Sequence, residues 1–291
     1  MSMLPGDVVQ EATLNVGAYP RRDGGQLGPQ IDLVLREGSR SARQFRVGVS
    51  GTSATVTAEG PLGSSARGSW LVGLRRSNVE WPVGRDDHNM TVFGFSDVQS
   101  KFVYDVRSGQ QISLSLVAGL SNIERDDANI AALSDGVNRA AVVTVAWRSM
   151  LGSRTIVTQR VSSLAHEYLN RDQAMRPVNR GTNGAGAYRV DITRTMFRGV
   201  VEAGGQVRRV HGSGRGPHWG PAIEAATFED VDATWFERSG HASFRRTIGT
   251  HVTLAAGVRL ADSTLVEQRA IDRWLQVELP AGRWLELRPQ A

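Results

Sequence analysis

The sequence predicts an all-β fold, an antiparallel meander that forms a partial or closed β-barrel with long polar loops. Apolar and polar residues alternate with a period of two in many segments. Turn signals of two lengths separate these segments, and 32 glycines among 291 residues can supply many turns. The chain is also long enough for a large all-β domain.

The alternation is clearest near the end of the chain. From Val252 to Leu260, every second residue is aliphatic, and the residues between include Thr253, Gly257 and Arg259. The same pattern recurs in four earlier segments, residues 45–50, 70–75, 112–119 and 142–148. Such repetition is typical of strands with one apolar and one polar face, and helices do not produce it.

The predicted connections between strands are of two kinds. Short turns are expected at Arg107–Gly109 and Leu151–Ser153, and hairpins with strands of about ten residues in 142–158 and 188–209. Long polar loops are expected at four glycine-rich or polar stretches, residues 84–89, 171–186, 182–186 and 204–221. Alternating short and long connections are expected of outer-membrane barrels, although a soluble sandwich can also show them.

Composition excludes several functional classes. The net charge is +5, but Lys101 is the only lysine and the arginines are scattered, so we expect no nucleic-acid partner. Without cysteine there is no disulfide framework, thiolate metal site or cysteine nucleophile. No window reaches the roughly 20 apolar residues of a membrane helix, and no signal peptide is recognisable at Met1.

Motifs for catalysis and metal binding are weak. The six histidines show no helical metal-binding pair, and His211 and His218 share only a predicted glycine-rich loop, so we expect no metal site and no cofactor. The acidic pairs Asp86-Asp87, Asp126-Asp127 and Asp230 with Asp232 are interpreted as solvated turns rather than calcium ligands. No nucleophile elbow or phosphate-binding loop is present in the sequence.

A paired-carboxylate glycosidase stays open at this point, because such a partnership is spatial. Its candidate acids are Glu167, Asp191, Glu202, Glu224, Glu229 and Glu278.

Several motifs resemble TonB-dependent outer-membrane receptors. Those that resemble the end of the plug domain are Val8–Glu11, Gly17–Pro20, Asp23–Gly25, Ile31–Leu33 and Arg36–Gly38. Those that are similar to barrel hairpins of the family are Glu59–Gly63, Gly68–Val72, Arg75–Ser77 and Gly240–Leu260. The most specific of these motifs lie in residues 8–77.

The resemblance implies a plug-like terminal segment at residues 1–40 and an antiparallel barrel-type sheet at residues 41–291. Family members have a signal peptide, a full plug and about twenty-two strands, whereas this chain has room for about ten to twelve, so we expect a fragment. An open half-barrel would leave two unpaired edges and an apolar outer face.

The leading hypothesis is therefore a fragment of an outer-membrane, energy-coupled nutrient receptor, with siderophores and saccharides as candidate ligands. The resemblance implies the TonB complex and outer-membrane lipid as partners. Tyr19, Arg21, Arg22 and Asp23 are the candidate ligand contacts, and a plug salt-bridge network without ligand contact explains the charged three equally well. The alternative is a soluble all-β enzyme or carbohydrate-binding module, such as a glycoside hydrolase, which does not explain the opening motif.

Overall fold

The computed structural model describes residues 8–15, 30–63, 66–77, 91–125, 134–218, 227–249, 252–266, 268–280 and 286–287. These residues form strands connected by turns. The strands are β1 (Val9–Asn15), β2 (Gln30–Leu35), β3 (Gln44–Val49), β4 (Ser53–Pro61), β5 (Gly68–Ser77), β6 (Thr91–Arg107), β7 (Gln110–Arg125), β8 (Asp135–Leu151), β9 (Thr155–Arg171), β10 (Pro177–Met196), β11 (Gly199–His218), β12 (Thr227–Ile248), β13 (Val252–Ser263), β14 (Gln268–Pro280) and β15 (Glu286–Leu287).

The strands form a hairpin and one large meander. Strands β1 and β2 pair with each other, and from β3 to β15 each strand pairs antiparallel with the next one along the chain. The predicted all-β antiparallel meander is therefore confirmed. Within the described part of the chain β3 pairs only with β4, so the sheet is not closed.

Strand length differs from the prediction of about ten residues. Strands β6 to β12 have 16 to 22 residues each, against the roughly 9–11 that cross a bilayer at a tilt. These strands therefore continue beyond the length that an apolar band alone would require. No helix in the described ranges is long and apolar enough to cross a membrane.

The short turns occur where the sequence predicts them, at residues 108–109 and 152–154. Three of the predicted long loops, 171–186, 182–186 and 204–221, are wrong over most or all of their described residues. Residues 182–186 lie inside β10 and residues 204–218 lie inside β11, so only residues 172–176 connect β9 to β10. The predicted loop at 84–89 lies outside the described residues.

Strand register divides the sheet into two faces, because residues opposite each other in an antiparallel pair point to the same side. We call the face that packs against the β1–β2 hairpin the inner face, and the opposite one the outer face. On β5, Leu71 points inward and is fully buried, whereas Leu74, three residues further along, points outward and is 50% exposed.

The hairpin supplies the main apolar contact of the inner face. Val8, Leu35 and Leu71 form a buried cluster, with Val9 and Val117 packed against it. Elsewhere the buried residues of the inner face are mostly polar, and they include Gln99 and Glu59. The interior of this sheet is therefore a polar wall covered at one place by a hairpin, and not a continuous apolar core.

Candidate functional site: the inner face of the sheet

The hairpin lies directly against the wall at β5 and β6. A Cβ atom added to Gly73 would lie 2.7 Å from Cγ1 of Val8, so the absence of a side chain at Gly73 lets the hairpin approach. Lys101 Nζ donates a 2.6 Å hydrogen bond to the backbone carbonyl of Leu35. Backbone N–H of Arg36 donates to the carbonyl of Val8 at 2.9 Å, which extends the pairing of the two hairpin strands.

Glu59 is the central acceptor between the wall and the segment that joins β2 to β3. Its buried carboxylate accepts from Arg36 Nη1 at 2.6 Å, from the backbone N–H of Ser39 at 2.9 Å and from Arg46 Nη1 at 2.9 Å. Two guanidinium groups and one amide thus satisfy a carboxylate that would be costly to bury alone.

A second ion pair holds the same connecting segment near the short turn between β6 and β7. Arg40 donates to the carboxylate of Asp105, which also accepts from Gln111 Nε2 at 2.9 Å. The hydrogen bond to Asp105 raises the pKa of Arg40 above its ordinary value, with a smaller opposing effect of burial. The link to β3 is therefore held by charges at one end of the sheet.

The middle of the inner face on β9 to β14 carries a belt of compensated charges. Asp191 accepts from Arg160 at 3.1 Å and from Arg189 at 2.9 Å. Glu237 accepts from Arg208 at 3.2 Å and from Trp235 Nε1 at 3.0 Å. A further pair in the belt is Arg259 with Asp272, at 3.3 Å. Each of these carboxylates lies beside at least one arginine, so the belt is polar but locally balanced.

A different surface follows toward the end of the sheet that carries the connections 126–134, 172–176 and 219–226. We call it the upper patch and define it as His166, Tyr168, Asn183 and Trp235, together with Gly181, Gly212 and Gly214. The rings of His166 and Tyr168 lie 5.8 Å apart with an interplanar angle of 32°. His166 Nε2 lies 3.0 Å from Asn138 Oδ1, and Asn183 Nδ2 lies 3.3 Å from His166 Nδ1.

The sequence-predicted site residues are only partly placed by the structure. The candidate ligand contacts Tyr19, Arg21, Arg22 and Asp23 lie outside the described residues, as do Asp86-Asp87 and Asp126-Asp127. His211 lies within β11 and not in a loop, and Asp230 and Asp232 lie within β12. In the parts of the chain that the structure describes, no three His, Asp or Glu side chains are grouped to hold a metal ion.

The glycosidase candidates that can be followed are divided between the two faces of the sheet. Strand register places Asp191 and Glu202 on the inner face, at diagonal positions of β10 and β11, and Asp191 accepts from Arg160. Glu167 lies on the outer face, 4.0 Å from Arg139. Two carboxyl groups on opposite faces of one sheet cannot flank the same glycosidic bond. Glu224 lies outside the described residues.

Sequence reasoning missed the residues that fasten the hairpin. Lys101 is the only lysine in the chain, and this is the one feature of the sequence that could have indicated a specific role for it. Glu59 lies in a motif that resembles a barrel hairpin of the receptor family, but nothing in the local pattern distinguishes it from a solvent-facing acid.

Comparison with known proteins gives a structural result only. No protein-family model and no curated protein matches the sequence. The pyoverdine outer membrane receptor FpvA from Pseudomonas aeruginosa PAO1 superimposes with a TM-score of 0.76 at 10% identity, over 97% of this chain and 50% of the receptor.

Two further solved structures are similar. The siderophore receptor PirA from Acinetobacter baumannii has a TM-score of 0.70 at 10% identity, over 98% of this chain and 48% of PirA. The copper transporter OprC has a TM-score of 0.67 at 12% identity, over 94% of this chain and 48% of OprC.

The chain spans about half the length of the solved structures that it matches. The fold resemblance that the sequence motifs suggested is thereby confirmed: over its described residues, this chain has the fold of about half of a TonB-dependent receptor.

Proposed function

We propose that the chain forms part of the wall of an energy-coupled nutrient receptor in an outer membrane. The observation that carries this proposal is the separation of the two faces of the sheet. The inner face holds the hairpin and the charged belt, and the outer face of β5 to β10 presents mainly apolar side chains to its surroundings. This is the arrangement that a lipid-embedded barrel with a polar interior requires.

One row across β7 to β11 shows the separation most clearly. Register places five exposed apolar side chains next to one another on the outer face: Leu114, Val145, Val161, Tyr188 and Val207. Their exposed fractions run from 39% to 57%. A continuous apolar row of this kind is unfavourable in water and favourable against hydrocarbon.

The apolar zone of the outer face also has a boundary. On β8, the outward residues Ala141, Val143, Val145 and Trp147 are apolar, and the next outward residue toward the 126–134 connection is Arg139. Arg139 lies 4.0 Å from Glu167 of β9, and both side chains are more than half exposed. Charges at this row fit the level where a strand leaves the hydrocarbon and enters the headgroups or water.

The hairpin supports the plug part of the proposal. Residues 1–40 would be the end of a plug, held against the wall by Lys101 and Glu59, and residues 41–291 the barrel sheet. Tyr19, Arg21, Arg22 and Asp23 are our proposed ligand contacts on that plug. The TonB complex would be the energy source and outer-membrane lipid the surroundings. FpvA and PirA are named as receptors for pyoverdine and siderophores, so a small-molecule nutrient is the proposed cargo.

The test compares two arginine substitutions one position apart. Val145→Arg places a charge on the outer face, and Thr144→Arg places the same charge on the inner face between Ser115 and Ser162. Arginine at the middle of a lipid-facing strand costs about 2–4 kcal/mol. We expect Val145→Arg to reduce the fraction of the full chain that folds into lipid vesicles, and Thr144→Arg to leave it close to that of the unsubstituted chain.

The same experiment can contradict the proposal. Equal effects of the two substitutions, or a folded monomer that needs neither lipid nor detergent, would show that the outer face does not contact hydrocarbon.

A further inference from the structure

The inner face of β8 to β12 loses its charges toward the long connections. Three consecutive rows contain no Asp, Glu, Lys or Arg among the residues that register places on this face. The rows are Val142, Leu164, Ala185, Val210 and Trp235; Ala140, His166, Asn183, Gly212 and Ala233; and Asn138, Tyr168, Gly181, Gly214 and Val231. The next row toward the short turns contains Arg208 and Glu237, so the change is abrupt.

The upper patch lies in these rows and has a floor of glycine. The Tyr168 ring covers Gly181, where an added Cβ would lie 2.7 Å from ring atoms. An added Cβ at Gly212 would lie 3.1 Å from Asn183 Oδ1 and 3.9 Å from the Trp235 ring. The missing side chains let two aromatic rings lie close to the backbone of the wall.

The polar groups of the patch are amides, an imidazole, a phenol and an indole, and it contains no Asp, Glu, Lys or Arg. A hydrogen-bonded chain runs from Asn183 through His166 to Asn138, with Nδ1 of the imidazole facing the Asn183 amide and Nε2 facing the Asn138 oxygen. Both ring nitrogens of His166 therefore have amide partners on the wall. The nearest arginines of the belt lie beside carboxylates, Arg208 at Glu237 and Arg189 at Asp191.

We propose that the upper patch binds a neutral, polyhydroxylated ligand, an oligosaccharide, as the cargo of the receptor function proposed above. Aromatic rings provide apolar faces for the C–H faces of sugar rings, and amide groups donate to and accept from hydroxyls at once. An anionic ligand or a charged metal chelate would need an uncompensated cation, and these three rows offer none among the described residues.

The position of the patch agrees with such a task. It lies near the ends of β9 to β12 that are joined by residues 172–176 and 219–226, opposite the ends joined by the tight turns 152–154 and 197–198. In outer-membrane barrels the longer connections face the exterior. A ligand arriving from outside would therefore meet the upper patch before the charged belt.

Calorimetry on the full chain in detergent tests the proposal. The probes are the neutral maltohexaose, cellohexaose and xylohexaose, and for comparison hexagalacturonate and a ferric tris-catecholate. We expect at least one neutral oligosaccharide to bind, and Trp235→Ala and Tyr168→Ala to weaken that binding at least tenfold. Tyr168→Phe keeps the ring that covers Gly181 and should weaken binding by a smaller factor.

Two outer-face aromatics are the matched controls. Trp147→Ala and Tyr188→Ala remove rings of the same type from the opposite side of the sheet, and they should leave oligosaccharide affinity unchanged. Equal loss in these controls would show that the loss reflects folding and would overturn the assignment of the patch.

The remaining outcomes separate the two proposals. If none of the neutral oligosaccharides binds, or if only the anionic or ferric probe binds and depends on Trp235, the oligosaccharide proposal is wrong. The receptor function would still stand if Val145→Arg alone impaired folding into vesicles. If both arginine variants behaved alike, the receptor function would fall independently of any binding result.

Discussion

Lys101 Nζ on β6 donates a 2.6 Å hydrogen bond to the backbone carbonyl of Leu35 at the end of β2. The only lysine of the chain thus joins the hairpin to the inner face of the sheet. The bond lies next to the buried cluster of Val8, Leu35 and Leu71, so a directional polar contact and a small apolar contact act at the same place. The directional hydrogen bond therefore gives the hairpin a defined position on the wall, which the apolar contact alone would not.

Removal of this donor should loosen the hairpin. Lys101→Met keeps most of the apolar stem and deletes the ammonium group, and a hydrogen bond from a charged donor contributes about 1.5–3 kcal/mol. We expect faster amide hydrogen exchange in residues 8–15 and 30–36 of the Lys101→Met chain, with β9 to β12 unchanged. Lys101→Arg, which keeps a cationic donor, is the control, and an equal acceleration there would contradict the assignment.

Glu59 should tolerate substitution poorly. Its carboxylate accepts from Arg36, Ser39 and Arg46, so Glu59→Leu would leave three donors without their acceptor. We expect the free energy of unfolding to fall by about 2 kcal/mol. The loss is not larger because the two arginines are partly exposed and can form hydrogen bonds with water instead. Glu37→Leu is the matched control, since the Glu37 carboxylate is exposed and lies 3.6 Å from Arg40. If urea unfolding gave a similar loss of unfolding free energy for Glu59→Leu and Glu37→Leu, the buried position of Glu59 would have no special role.

The sequence was sufficient for the part of the fold that rests on local pattern. Alternation at residues 112–119 and 252–260 correctly predicted strands with one apolar face, and Ser108-Gly109 correctly predicted a tight turn. These features depend on residues close together in the sequence, so a short segment is enough to predict each of them.

The errors have a common physical cause. Residues 204–218 contain several glycines and were predicted as a loop, but in β11 neighbouring strands fill the space above these glycines. His241, for example, lies where a Cβ of Gly204 would be, so tertiary contacts override the local preference of glycine for turns.

The contacts of the candidate site could not be predicted from local sequence pattern. Lys101 and Leu35 are 66 positions apart, and Tyr168 meets Gly214 only because two strand pairs bring them together. Periodicity assigns a face to each of these residues, but their partners depend on the register of several strands at once.

A substitution in the turn between β10 and β11 should stabilise the protein. Phe197 and Arg198 both have positive φ, 53° and 57°, which is the backbone of a type I′ turn and is unfavourable for side chains of this size. Arg198→Gly should raise the free energy of unfolding by about 1 kcal/mol. Arg154→Gly in the β8–β9 turn is the control, because Arg154 is not among the residues with positive φ and should lose stability on the same change.

Asp172 should make the β9–β10 connection sensitive to acid. The backbone N–H of Arg176 donates to its carboxylate at 2.9 Å and the Arg176 guanidinium donates at 2.8 Å, and these bonds lower the pKa of Asp172 below its ordinary value of 3.8. Because the folded-state pKa is depressed, the stabilisation is present above the ordinary pKa and is lost as the pH falls through the folded-state pKa.

Asp172→Asn removes this charge at every pH. We therefore expect the unsubstituted chain to have the higher thermal unfolding midpoint at pH 6, and the difference to shrink as the pH falls through the lowered folded-state pKa of Asp172. Asp230→Asn is the control, since Asp230 is an exposed acid 3.6 Å from Arg215. A difference that persists unchanged at low pH would mean that the amide side chain disturbs the turn by its shape, because a protonated Asp172 can no longer attract Arg176 through its charge.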